Sequence, residues 1–180
     1  LTPERYLELE AASELRHEYF RGEVFAMSGA SLTHNQLKDR TVRLLGNQLE
    51  GKPCFTVSSD MRLKVEAVGH YTYPDVMVVC GEPQLLTELG LEHLLNPTVI
   101  IEVLSDSTEA YDRGLKFKHY QAIPSFQEYL LISQSERRVD HYQRVEDYWI
   151  LRTFIGLAVI ELPSIGCQLA LADLYKNLIG

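Results

Sequence analysis

The chain has 180 residues, 46% of them hydrophobic and 23% charged. Those proportions exclude a disordered chain and fit one domain, residues 1–180, folded around its own core. With 17 Lys plus Arg against 25 Asp plus Glu, the formal charge is −8. A broad basic face for nonspecific nucleic-acid binding is therefore excluded, although a divalent metal in a carboxylate cleft reverses the local field. Cys54, Cys80 and Cys167 lie far apart with no Cys-x-x-Cys spacing, so no zinc or redox motif is evident and a reducing compartment is expected. No apolar run is long enough to cross a bilayer and no basic leader precedes one, so a soluble, cytoplasmic protein with no membrane association is expected.

Thr2-Pro3-Glu4 starts a short helix ending near Ala12, with a hydroxyl cap, Pro where its missing N–H is harmless, and an early acid. Tyr19 to Met27 reads as a strand pair bent at Gly22, which places Glu23 inside a sheet. A second helix is predicted from Thr33 to Leu49, with His34 in its first turn. Phe55 to Glu66 alternates apolar and polar residues like a half-buried strand, with Asp60 and Arg62 on its polar face, where Asp60 is placed to bridge Arg62.

The runs Asp75–Cys80 and Thr98–Leu104 have almost no polar face and predict central strands covered on two sides. The Leu- and Glu-containing stretch between them, 82–96, predicts a short helix or ordered loop. Thr108 caps a helix through Tyr120, and strands follow near 128–133, 138–144, 148–153 and 157–161, the first ones as a hairpin meander. The fold class is α+β, with a central mixed sheet flanked by helices.

Asp75 and Glu102 carry the chemistry. Glu102 interrupts an aliphatic run, and a carboxylate in low dielectric must become neutral, pair with a cation or bind a metal. On neighbouring strands, the two acids would converge on a hard divalent ion; otherwise they form a structural ion pair and a turn cap. Asp112, Lys116 and Tyr120 recur every fourth residue, so a helix just after Glu102 carries them as one stripe, either solvated or turned back over the strand end. His34 is placed to touch a phosphate or to cap its helix, and Tyr120 to pack with a bonded hydroxyl. There is no phosphate-binding loop, dinucleotide fingerprint or nucleophile elbow.

The segments Gly22-Glu23-Val24, Ser59-Asp60-Met61-Arg62, Tyr73-Pro74-Asp75-Val76, Ile101-Glu102-Val103-Leu104-Ser105, Asp112 with Lys116 and Tyr120, and Pro124-Ser125-Phe126-Gln127-Glu128-Tyr129 together resemble the Uma2 family. That resemblance implies a restriction endonuclease-like core of the PD-(D/E)XK kind. It implies Asp75 and Glu102 as ligands of Mg2+, with Mn2+ as a substitute. Leu104 stands where the nuclease pattern has lysine, which passes that role to Lys116, with Lys118 in reserve. An additional early acid is assigned to Glu23, with Glu18 second. The implied activity is Mg-dependent endonucleolytic hydrolysis of nucleic acid, DNA above all, by a homodimer. The alternative is a catalytically inactive dimer of the same fold, acting as a binding or regulatory module.

Overall fold

The computed structural model describes residues 1–178. Helix α1 (Pro3–Ala12) leads into the hairpin β1 (His17–Phe20) and β2 (Glu23–Ala26), then helix α2 (Leu32–Leu49). Strands β3 (Cys54–Ser58), β4 (Arg62–Val65), β5 (His70–Thr72), β6 (Val76–Cys80), β7 (Leu85–Glu88), β8 (Leu91–Leu94) and β9 (Val99–Val103) follow. Three helical pieces then run on without a break: α3 (Glu109–Tyr111), a π-helical turn (Asp112–Lys116) and α4 (Phe117–Tyr120). Strands β10 (Glu128–Ile132), β11 (Arg138–Val145), β12 (Tyr148–Ile155), β13 (Val159–Leu162) and β14 (Cys167–Ala170), then α5 (Leu171–Leu174), complete the described chain.

The strands form two 6-stranded sheets, β2-β1-β5-β4-β8-β7 and β12-β11-β10-β9-β6-β3, and the hairpin β13-β14. The β9/β10 and β4/β8 pairs are parallel and the other pairs antiparallel, so both large sheets are mixed and the α+β expectation holds. β6 and β9 lie inside the second sheet, and every β9 residue is buried, as their unbroken apolar runs predict. One face of this sheet, with Val76, Val78, Val99 and Ile101, packs on α2, β14 and α5. The other, with Met77, Ile100, Tyr129 and Leu131, packs on Tyr120 and Phe126. Fully burying each such side chain stabilises the fold by about 1.5–3 kcal/mol. On α2, Leu37, Thr41, Leu45 and Leu49 are buried four residues apart, and Ser31 accepts the His34 amide at 3.0 Å as the cap.

Four local expectations are corrected. The alternation from Phe55 to Glu66 spans two strands in different sheets, because a turn closed by Met61 N–H to Ser58 O at 2.9 Å continues the polar rhythm. Asp60, in that turn, pairs with Arg16, while Arg62 stands 5.3 Å over the Tyr73 ring. The segment 82–96 forms the β7–β8 hairpin, since Leu89 and Gly90 both take left-handed backbone, φ 50 and 79, at its tip. Cys54 and Cys80, 26 residues apart in sequence, face each other across β3 and β6 as a disulfide. Among the described residues, no helix is long and apolar enough to cross a membrane.

Candidate functional site

Antiparallel pairing of β6 with β9 sets Val76 opposite Ile101, so the start of one strand lies beside the end of the other. Asp75 and Glu102 meet there through crossed bonds to backbone. The Asp75 N–H donates to Glu102 Oε2 at 3.2 Å, and the Val103 N–H donates to Asp75 Oδ2 at 2.8 Å. His34 Nε2 lies 3.1 Å from the same Asp75 oxygen. The α2 cap therefore belongs to Ser31, and the His34 ring braces Asp75.

The π turn lies across this strand end. Its Lys116 ammonium, 7% exposed, is 3.1 Å from Glu102 Oε1, 3.2 Å from Glu18 Oε1 and 3.3 Å from Asp112 Oδ1. Tyr120, one turn on, donates its hydroxyl to Glu102 Oε1 at 2.9 Å, and Tyr129 donates to the Asp112 carbonyl at 3.0 Å. The second bond gives a partner to a carbonyl in a turn whose regular ladder is widened, and such π turns recur at functional sites. Glu18 comes from β1 in the other sheet and accepts the Thr72 hydroxyl at 2.6 Å. Both sheets thus deliver a carboxylate to one ammonium.

Glu23 is not brought to this cluster. It pairs with Phe20 on the exposed strand β2, at the rim of the same cleft. Glu18 and Glu23 share one face of the hairpin, since Glu23 pairs with Phe20 two residues from Glu18, but β2 is the edge strand while β1 lies beside β5, so Glu18 is the acid that reaches Lys116. Lys118 is exposed, two residues from the buried Lys116, as the helical offset requires.

The electrostatics follow from one buried cation among several carboxylates. Burial, first, pushes the Glu102 carboxyl up to about 8 against the attraction of Lys116, and repulsion from Asp75, Asp112 and Glu18 adds to the rise. Burial alone would lower the Lys116 ammonium, but Glu102, Glu18 and Asp112 hold it well above the usual lysine range. For Glu18, burial is overcome by Lys116 and the Thr72 hydroxyl, and the carboxyl is lowered.

Asp75, Glu102, Lys116, Glu18 and Asp112 line one cleft of about 1320 Å³. Asp75 and Glu102 offer hard oxygen donors there, and Mg2+ is commonly held by one or two carboxylates, with water and phosphate completing its shell. Among the described residues, no group of three or more His, Cys, Asp or Glu is arranged to hold a metal. The pair therefore fits an ion shared with substrate and does not fit a closed protein cage.

Sequence spacing missed His34 as the brace of Asp75 and ranked Glu18 below Glu23. The 41 residues between His34 and Asp75 carry no local signal of their contact.

The mixed sheets flanked by helices fit the restriction endonuclease-like class of α+β proteins. A crystal structure of a "putative nuclease belonging to DUF820" from Anabaena variabilis shares this fold, with a TM-score of 0.79 and 20% identity over 98% of each chain. The chain belongs to the Uma2 family, described as "Putative restriction endonuclease", whose pattern matches residues 3–172. Two Synechocystis proteins are similar along their length. Slr1290 is 37% identical over 99% of this chain and 93% of its own, and sll1609 is 40% identical over 87% and 88%.

Proposed function

We propose that the cleft hydrolyses phosphodiester bonds of nucleic acid, DNA in preference to RNA, with Mg2+ held by Asp75 and Glu102. The single observation that carries this is the pair of carboxylates at adjoining strand ends, with Lys116 buried against one of them. When bound, the ion would lower the pKa of an attacking water and offset charge on the phosphate. The protein's own residues prepare the site. The backbone amides of Asp75 and Val103 aim the two carboxylates, and His34 fixes the Asp75 side chain. Lys116 stabilises negative charge developing on the phosphate oxygens, and Tyr120 holds one Glu102 oxygen while the Asp75 N–H meets the other. Glu18 and Asp112 hold the ammonium in place.

The test is cleavage of mixed DNA and RNA substrates with Mg2+ or Mn2+, beside isothermal titration of each metal, for wild type and Glu102→Gln. Loss of both binding and cleavage in the variant supports the assignment, whereas a wild type with neither defeats it.

A second reading, a catalytically inactive binding or regulatory module, is favoured by the state of the rim cations. Arg16 is taken by Asp60, Arg113 by Asp140 and Glu109, and Arg138 by Asp140 and Glu136. Duplex DNA normally meets Lys and Arg free to neutralise phosphates. Metal-independent partner binding that Glu102→Gln leaves unchanged would favour this module. In either case a homodimer is proposed through the edge strand β12, where Tyr148, Leu151 and Ile155 are exposed, and sedimentation velocity tests it.

A further inference from the structure

Among the described residues, five Lys and Arg side chains line the cleft, and four of them are held by carboxylates. Arg16 pairs with Asp60, Arg113 and Arg138 with Asp140, and Lys116 with Glu102, Glu18 and Asp112. Lys38, on α2, differs. Its ammonium lies 3.3 Å from Asn35 Oδ1 and 3.3 Å from Ser59 Oγ, and both partners are neutral. The Asp39 carboxylate stays 3.9 Å away on a side chain that is 76% exposed, where water screens it.

We propose that Lys38 grips a backbone phosphate of the bound nucleic acid, next to the one that is cleaved, and that Asn35 and Ser59 are the positioning residues that aim it. This rests on the phosphodiester reading given above and extends it to a cation that reading leaves out.

The ammonium has a donor to spare. It carries three N–H groups, and its bonds to Asn35 and Ser59 use two of them. The Asn35 amide is fixed in turn, since its Nδ2 donates to the Ser31 carbonyl at 3.0 Å and so leaves its oxygen for Lys38. Ser59 sits in the turn between β3 and β4, where Arg16 donates to its carbonyl at 2.6 Å. Two neutral groups thus orient Lys38 by hydrogen bonds without cancelling its charge. A phosphate oxygen entering the cleft would complete the third bond and supply the missing anion, with no partner displaced.

Its place on α2 sets which phosphate it meets. His34 and Lys38 are four residues apart on that helix and share one face. His34 Nε2 is 3.1 Å from Asp75 Oδ2, so Lys38 is rooted one helical turn, about 5.4 Å, further along the same wall from the carboxylate pair. Asp75, Glu102, Glu18 and Asp112 line the cleft with acids, and a polyanion entering it needs positive charge beside the metal as well as the metal itself. With a side chain 18% exposed, Lys38 is open to a ligand and still held by the helix and the turn.

The test is binding of a dye-labelled DNA duplex, read by anisotropy with Ca2+ in place of Mg2+, across about 50 to 200 mM KCl. Lys38→Gln is expected to weaken binding about tenfold at the lowest salt, as for one hydrogen bond to a charged group. It should also lower the slope of log affinity against log salt by about 0.9, the signature of one lost phosphate contact. Lys38→Arg keeps the charge and should keep the slope and most of the affinity. Asn35→Asp gives the ammonium a carboxylate partner and should lower the slope as Lys38→Gln does, with no further fall when the two are combined. A lysine that only staples α2 to the β3–β4 turn would behave otherwise: Lys38→Gln would lower the urea midpoint and leave slope and affinity as in wild type. That result overturns the proposal and leaves the phosphodiester reading standing, whereas a wild type that does not bind the duplex overturns both. Should Lys38→Gln fail to fold, the slope of Asn35→Asp decides the matter.

Discussion

Glu102 and Asp140 stand on one row of the second sheet, since Leu131 of β10 pairs with Glu102 on one side and Asp140 on the other. Each meets a cation from the same π turn: Lys116 for Glu102, and Arg113 at 2.6 Å for Asp140. Their environments are otherwise opposite. Asp140 is one carboxylate shared by two guanidiniums, Arg113 and Arg138, and the Thr153 hydroxyl. Although burial opposes it, the Thr153 and Arg113 bonds hold its carboxyl below the usual range. Glu102 shares its single ammonium with Glu18 and Asp112 and is raised. An anion with surplus donors is scaffold. An acid cluster with a deficit of positive charge has capacity left for a cation, and that is where a catalytic ion would be sought.

The comparison breaks most visibly at the cleft end. Glu102→Gln is expected to cut metal-stimulated cleavage at least about a hundredfold, with unchanged circular dichroism; an active variant would remove Glu102 from the site. Lys116→Met strands buried carboxylates without their cation and should cost about 3–5 kcal/mol in urea unfolding. That loss should shrink as the pH falls and the carboxyls take up protons.

The scaffold end is expected to be milder and to respond to pH in the other direction. Asp140→Asn should cost about 2 kcal/mol near neutrality. Because the folded Asp140 value lies below the unfolded one, its contribution is present above about pH 4 and fades as the pH falls through the folded value. Glu102 is the reverse. Its folded value is near 8, so the folded protein keeps a proton that the unfolded chain releases, and stability declines as the pH rises through that value. Urea midpoints across pH should therefore lose the acid limb in Asp140→Asn and, in Glu102→Gln, the decline that runs from the free carboxyl range up to about pH 8. Equal effects on both limbs would erase the contrast. The smallest effect is expected at Glu23: Glu23→Gln should change stability by no more than about 0.5 kcal/mol and leave cleavage near wild type, with Glu18→Gln the larger of the two.

Much of this was legible in the chain. Glu102 announces itself because an acid inside Val99-Ile100-Ile101-x-Val103-Leu104 has no reason to be there without a partner, and the spacing of Asp112, Lys116 and Tyr120 already gives them one face. Glu18 was outranked because the Gly22-Glu23 segment carries the family pattern, whereas Glu18 is the acid that reaches Lys116 because β1, not the edge strand β2, pairs with β5. The β7–β8 hairpin was hidden because its tip places Leu89, not a turn-forming residue, beside Gly90 in left-handed backbone.

By itself, the sequence determined the α+β class, the two central strands, the α2 cap region and the acids that need partners, because periodicity and the cost of an isolated buried charge are local properties. Only the tertiary structure decided that Glu18 rather than Glu23 meets Lys116, that His34 braces Asp75, that Cys54 faces Cys80, and that a π turn reaches from Glu102 to Asp140. Those contacts join residues as much as 98 positions apart along the chain (116 − 18), and strand register and sheet packing fix them, which no local pattern encodes.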